Sequence, residues 1–348
     1  MIKILAIYDD CDLIIRKMLA RLSMRSDRFE VVIAAPAGMD SIAEGRCRAV
    51  EMPRIKSKVS LKAVSGLRRV IKSERPDVIF SVSSKALATS LMASLGTSCI
   101  NVAYRGTQAK VRRTDPTYYL GLLNPRVKHV VCETPDIEVY LRKFFRPDQL
   151  SAMAKPFEVS WVEEAMRDPK SNEAANGLKL IYIGVSKGRP HKGMGPMVEA
   201  MRMLEGKPVH LTVIGNADEE VMASAPGNIT FMGSRSDAVN FLPTHDLFML
   251  TSTRDASPRV VREAQACGVP CVVSDIPGAR DLIVDGQTGL LIPPADPQAI
   301  AEAVEHFLDN PEKLKEMGVA ARNHISTNFK MESYVDFFDN LFSQLASK

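Results

Sequence analysis

Two acidic residues, Asp255 and Glu263, are separated by seven others and bracket the opening of one helix within residues 250–294. Phe248, Met249 and Leu250 close an apolar run, residues 251–257 are mostly small or polar, and Ser257 is an N-cap residue with Pro258 at the first helical position. A helix is expected from there to Cys267, because Gly268 suits the left-handed position after the last turn and Pro270 cannot continue a helix. Glu263 then sits in the second turn, with unsatisfied first-turn amides and the positive dipole end just before it. That arrangement invites an anion. A second constellation, Gly184-Val185-Ser186-Lys187-Gly188-Arg189-Pro190-His191-Lys192-Gly193, sets cations in a glycine-rich loop. A third gathers Asp9, Asp10 and Asp12 directly behind the first apolar run.

The elements that must position these residues alternate in type. Residues 2–7, 31–35, 78–81, 99–103 and 130–132 read as strands, and residues 13–22, 61–73 and 85–95 have helical spacing. After a polar, turn-rich stretch at 167–178, the best linker candidate, the pattern restarts. Strands are expected at 178–183, 209–214, 229–231 and 247–250, with helices at 197–204, 299–308, 319–325 and 334–345; Asp296 and Pro297 mark one helix start. Such alternation gives parallel, doubly wound sheets, two of them here, covering residues 1–166 and 179–325. Ligands of such sheets bind beyond the carboxyl ends of the strands, which places Asp9 to Asp12, Ser83, Ser84, Tyr104, Arg105 and Gly106 on one rim.

With 348 residues, 45% of them hydrophobic, the chain can bury two cores of ordinary size. It contains no run of eighteen apolar residues, and its first residues, MIKILAIYDDCD, read as a buried strand rather than a signal peptide. Six scattered cysteines, none in C-x-x-C spacing, fit reduced thiols better than a disulfide framework or zinc site. The net charge of +4 hides an asymmetry: residues 1–165 hold 27 Lys and Arg against 18 Asp and Glu, and the remainder 18 against 23. The first half carries basic clusters at Arg16-Lys17, 54–62, Arg68-Arg69 and 110–113. They either solvate a face or attract an anionic membrane or a phosphorylated partner.

The stretch Glu263-Ala264-Gln265-Ala266-Cys267-Gly268-Val269-Pro270, preceded by Asp255, resembles the signature of retaining glycosyltransferases of the GT-B fold, family GT4. That family has E-A-x-A-C-G-x-P-V behind an acid-x7-acid pair; here the first acid is Asp rather than Glu, and the usual following glycine is Ala256. The resemblance covers nearly the whole second half and is only topological in the first. It implies two Rossmann-like domains facing across a cleft, a C-terminal segment, 326–348, crossing back to the first domain, and a nucleotide-sugar donor, UDP- or GDP-linked.

The resemblance also assigns roles. The Gly184 to Gly193 loop matches the family's G-R…K-G loop, so Arg189 and Lys192 would clamp the diphosphate, with Lys187 as substitute. Asn216 after Gly215, and Arg235 after Met232-Gly233-Ser234, would lie around the nucleotide base. Glu263 would hold the ribose and Asp255 the donor sugar, beside Ser257 and the amides of Arg259 and Val260; Pro258 has no N–H to offer. Arg105-Gly106 stands where many relatives carry His-Gly, and an Arg there could grip phosphate or carboxylate. Asp9, Asp10, Asp12 and Ser83 would face an acceptor, or simply line a solvated loop. A D-x-D metal motif at Asp10-Cys11-Asp12 is poorly placed, so no metal and no cofactor is expected.

Loss of the sugar–phosphate bond passes through an oxocarbenium-like state, and the departing phosphate must be stabilised more there than in the ground state. Neither acid need be a nucleophile. Retention is expected, with the leaving phosphate taking the acceptor proton. The implied enzyme is a hexosyltransferase of bacterial envelope or capsule assembly, acting on a glycan or lipid-linked acceptor at the cytoplasmic face, peripheral on the membrane and without nucleic-acid partners. Sugar-nucleotide epimerases share the fold but are disfavoured by the acid pair and the K-G loop. The non-enzyme alternative is a degenerate subunit that binds nucleotide sugar or scaffolds a complex.

Overall fold

Runs such as ILAI and LFML have no polar face to turn to water, so they must be buried on both sides, as parallel strands under helices are. A computed structural model of the chain describes residues 1–8, 12–38, 44–107, 109–175, 177–255 and 257–347. The chain divides into two units, Met1–Pro156 with Met331–Lys348, and Phe157–Lys330.

In the first unit, strands β1 (Ile2–Ile7), β2 (Phe29–Ala35), β3 (Arg48–Glu51), β4 (Val78–Ser81), β5 (Ile100–Arg105), β6 (Val127–Cys132) and β7 (Leu150–Ala152) form a sheet in the order β3-β2-β1-β4-β5-β6-β7. All neighbours run parallel; Ile4 pairs with Val31 on one side and Val78 on the other. Helices α1 (Leu13–Ser23), α2 (Leu61–Glu74), α3 (Ser84–Ala93) and α4 (Pro135–Leu141) cover it. The strand order reverses between β1 and β4, the place where a doubly wound sheet opens for ligands. Neither β3 nor β7 was expected from the sequence. The first is half-exposed RAVE and the second has three residues, too few to set a period.

The second unit repeats the plan with β8 (Leu178–Ile183), β9 (Val209–Ile214), β10 (Ile229–Phe231), β11 (Leu247–Leu250), β12 (Cys271–Ser274) and β13 (Gly289–Ile292), ordered β10-β9-β8-β11-β12-β13. Its helices are α5 (Glu163–Arg167), α6 (Met194–Met203), α7 (Glu219–Ala223), α8 (Arg259–Ala266), α9 (Pro297–Asp309) and α10 (Glu312–Asn328). Asp296 caps α9 by accepting from the Ala299 amide at 3.1 Å, with Pro297 behind it. Residues 167–175, expected as part of a linker, are stitched to the second unit instead. The Lys170 amide donates to the Asn240 carbonyl, its ammonium meets Asp237 at 2.6 Å, and the Asn172 amide group donates to the Thr212 hydroxyl at 3.1 Å. Polar turn-formers do not make a linker when the adjoining unit offers them partners.

The last helix, α11 (Met331–Ala346), belongs to the first unit. Its Phe338 ring stands edge-on to Phe80 of β4 at 5.4 Å and to Tyr334 at 5.1 Å, fully buried. Buried Asp339 is bound by Arg25 at 2.6 Å and Arg28 at 2.7 Å, so no uncompensated charge is left inside. The described cysteines, Cys47, Cys99, Cys132, Cys267 and Cys271, are free thiols. Among the described residues no helix is long and apolar enough to cross a membrane. Phe338→Ala should cost about 3–5 kcal/mol of unfolding free energy by urea denaturation, because the pocket around an edge-on aromatic cluster cannot collapse onto alanine.

Candidate active site

In the second unit the loops after β8, β9 and β11 are held against one another by backbone, and glycine makes the approach possible. Gly215, at φ +133°, lies so near the Gly184 carbonyl that a Cβ would meet its oxygen at 2.0 Å. The Asn216 carbonyl then accepts from the Ser186 and Lys187 amides, both at 2.9 Å. Gly193, at φ +73°, stands where a Cβ would meet the Thr251 carbonyl oxygen at 1.9 Å. The Thr251 hydroxyl donates to the Gly193 carbonyl at 3.0 Å and the Thr253 amide to the His191 carbonyl at 2.8 Å.

This stitching brings Lys192 to Asp255. The ammonium sits 2.6 Å from Oδ2 of the carboxylate, both side chains largely covered. Tyr182 lies under them: its hydroxyl donates to the Lys192 carbonyl at 3.4 Å, and burial, then the Asp255 charge, raises its pKa. Arg189 shares the turn, accepting from the Lys192 amide at 2.9 Å, while its exposed guanidinium has no partner among the described residues. Lys187 is also exposed and lies 3.8 Å from Glu219.

Helix α8 begins at Arg259, one residue later than expected, with Pro258 at the N-cap and no side-chain cap. Ser257 does not cap it. Its hydroxyl and carbonyl accept instead from buried Arg262, at 2.8 and 3.2 Å, which fixes the loop between Asp255 and the helix from below. The amides of Arg259 and Val260 open this helix, whereas the next, of Val261, bonds the Pro258 carbonyl at 3.3 Å. Glu263 is 8% exposed and accepts from Arg259 at 2.9 Å. Burial raises its pKa, although Arg259 and Arg262 pull the other way. Arg235 does not stand as an open donor. Its guanidinium is engaged by Asp237 through two bonds of 2.8 Å and stacks on Phe241, and it ties down its own loop.

The first unit has its own hollow, about 520 Å³, lined by Asp12, Ser83, Ser84, Tyr104, Arg105, Gly106, Glu133 and Lys155. Asp12 caps α1 with Oδ1, accepting from the Ile14 and Ile15 amides at 3.0 and 3.2 Å, and takes Lys155 on Oδ2 at 2.7 Å. Lys155 also reaches buried Glu133 at 3.3 Å. Gly106 packs against it, and a Cβ there would meet Glu133 Oε2 at 2.5 Å and displace the carboxylate. Ser83 caps α3 through the Ala86 amide. Arg105, expected as an anion grip, donates to the Thr107 and Ala109 carbonyls at 2.9 and 2.7 Å, and burial lowers its pKa. A guanidinium that props its own loop has fewer donors for a ligand. Asp9, Asp10 and Ala256 lie outside the described residues.

Glu133 and Lys155 were missed by sequence reasoning. Both follow strands at the carboxyl rim, β6 and β7: the rule that placed Asp12 and Ser83 already pointed to Glu133, directly after the strand read at 130–132, and would have found Lys155 had β7 been read. Among the described residues no cluster of His, Cys, Asp and Glu could hold a metal ion.

Residues 167–324, most of the second unit, match the family model for glycosyl transferases group 1. An Anabaena protein, HepE, solved in complex with UDP and glucose, superposes with a TM-score of 0.75 over 99% of this chain and 100% of its own, at 17% identity. The chain therefore has the GT-B fold, and the match to the group 1 model lies within its second unit. Among curated proteins, it is 28% identical over 190 residues to an N,N'-diacetylbacillosaminyl-diphospho-undecaprenol α-1,3-N-acetylgalactosaminyltransferase of Campylobacter jejuni, a match spanning 53% of this chain and 46% of that protein. It is 23% identical over 325 residues to a UDP-Gal:α-D-GlcNAc-diphosphoundecaprenol α-1,3-galactosyltransferase of Escherichia coli, 85% of this chain and 83% of that one.

Glu263→Gln should stabilise the protein at neutral pH and do so less as pH falls. The folded pKa is raised, so the wild type loses stability as pH rises past the ordinary glutamate value of 4.5, and the glutamine variant does not. Urea melts of both proteins at acid and neutral pH check the sign.

Proposed function

We propose that the protein is a retaining, GT4-type hexosyltransferase that moves a sugar from a nucleotide diphosphate donor to a lipid-linked or other envelope-glycan acceptor. The observation that carries this reading is the Lys192–Asp255 pair at 2.6 Å, formed in the loop that leads into α8, whose second turn carries buried Glu263, all within the residues that match the group 1 model. A diphosphate leaving group gains charge as its bond to the sugar breaks. Lys192 and Arg189, with the opening amides of α8, supply donors aimed at that charge without a metal. Asp255 holds Lys192 in place until the diphosphate arrives, then accepts from the donor sugar's hydroxyls; Glu263 accepts from the ribose. The acceptor oxygen forms the new bond to the anomeric carbon on the face the phosphate leaves, and its proton passes to that phosphate.

The acceptor is assigned to the hollow of the first unit. Asp12, Glu133, Lys155 and the serine hydroxyls of 83 and 84 offer acceptors and donors suited to a neutral, many-hydroxyl ligand rather than to a second phosphate. Relatives named for transfer to diphospho-undecaprenol carriers support a lipid-linked acceptor, and the UDP complex supports a uridine donor. The same carriers, with the basic first half, support peripheral placement on the cytoplasmic face of a membrane. A degenerate scaffold has no comparable support, since those relatives are named as transferases.

Lys192→Ala should lower turnover of a UDP-sugar about 100-fold or more with the thermal melt unchanged, the size seen when one transition-state donor is removed. Activity at the wild-type level in that variant would remove the assignment. Turnover should also persist in EDTA; full loss, restored by manganese, would point to a metal-dependent reaction. Lys155→Met should raise the acceptor KM while leaving slow donor hydrolysis by water intact, which separates the acceptor role from the donor role.

A further inference from the structure

The first unit carries a second hollow, about 560 Å³, lined by Glu51, Met52, Arg54, Lys56, Ser60 and Lys62 among others. It lies where the chain leaves β3 and crosses to α2. Buried Met52 and Ile55 anchor this crossing, and Pro53 lies so close to Gly66 of α2 that a Cβ on the glycine would meet its ring at 2.3 Å. With those residues turned inward, Arg54, Lys56 and Lys62 are left exposed. None of the three has a hydrogen bond or ion pair among the described residues, and Glu51 is the one carboxylate named in the lining. Solvated surface cations would look the same from their charges alone.

The apolar neighbours decide the matter. Val59 is 53% exposed and Leu61 79%, interleaved with Lys56, Lys58 and Lys62 in the run Lys56-Ser57-Lys58-Val59-Ser60-Leu61-Lys62. Lys58 ties this run to a second one. It donates to the Thr117 hydroxyl at 3.3 Å and lies over the Tyr118 ring at 5.5 Å. Beside Tyr118, Tyr119 and Leu120 are 47% and 41% exposed, and Arg112 and Arg113 are exposed on the same segment. Large apolar side chains standing in water beside Arg54, Lys56 and Lys62 have no use to a free phosphate ion. They suit a surface that is negative outside and oily beneath.

We infer that the crossing from β3 to α2 is a membrane-docking surface for anionic phospholipid. Arg54, Lys56 and Lys62 take the phosphate of a lipid headgroup in the hollow, while Val59 and Leu61, with Tyr119 and Leu120 alongside, enter the region below the headgroups. The inference deepens the peripheral placement proposed above and fixes which face of the first unit meets the lipid.

Sedimentation of the full chain with phosphatidylcholine vesicles, with and without added phosphatidylglycerol, tests it. Binding should be about tenfold or more stronger with phosphatidylglycerol and should weaken as sodium chloride is raised. Lys56→Glu with Lys62→Glu should remove the preference for phosphatidylglycerol. Val59→Ser with Leu61→Ser should weaken binding about tenfold while its salt dependence stays, because the lost term is apolar. UDP-induced thermal shifts should be unchanged in both double variants, so that a failure here is distinct from a failure of the transferase reading. Equal binding to neutral vesicles, or charge-reversed protein that still prefers phosphatidylglycerol, would overturn the inference. So would displacement by inorganic phosphate beyond that caused by chloride at equal ionic strength, which would mark a site for the free ion.

Discussion

The approach of the Gly193 backbone to the Thr251 carbonyl is the constraint on which the second unit's chemistry depends. No side chain fits between them, and the hydroxyl of Thr251 returns a bond across the same gap. The loop after β8 is therefore held against the loop after β11 by backbone, whether or not a ligand is bound. Lys192 and Asp255 meet as a result, each supplied by a different loop. Loops are usually the mobile part of such a fold; here two of them borrow the rigidity of the sheet beneath.

Charge placement follows from this. Lys192 of the 187–192 loop meets Asp255 in the loop that leads into α8, and the buried carboxylate of Glu263 keeps Arg259 beside it. Arg262 lies under the loop and grips Ser257, so a residue that reads as one more surface charge in the sequence is structural in its action. The first unit solves a related problem differently. There a single ammonium, Lys155, serves two carboxylates, and one of those also caps the start of a helix.

Much of this was legible in the sequence. Continuous apolar runs marked the strands of both sheets apart from β3 and β7, and Asp296-Pro297 marked the start of α9, because burial and capping are local demands that local residues meet. The acid pair and the Gly184 to Gly193 loop were visible because their spacing is carried on one strand–loop–helix unit. What escaped depends on which partner a side chain takes once its loop has folded. Asp237, two residues on, holds Arg235 fast, and the Thr107 and Ala109 carbonyls take the donors of Arg105, neither of which spacing alone reveals. Ser257-Pro258 has the composition of a helix start, yet Arg262 competes for the serine oxygen and the cap is lost. Residues 167–175 have the composition of a linker, yet Asn240, Asp237 and Thr212 claim them.

The return of α11 to the first unit has a consequence for how the molecule is made. The first sheet cannot bury Phe80 under Phe338 and Phe342 until the final helix has been synthesised, whereas residues 157–330 form an uninterrupted unit. During translation the second unit can therefore complete its core while the first waits with an open face. Arg25 and Arg28 meanwhile stay in water until Asp339 emerges from the ribosome and joins them.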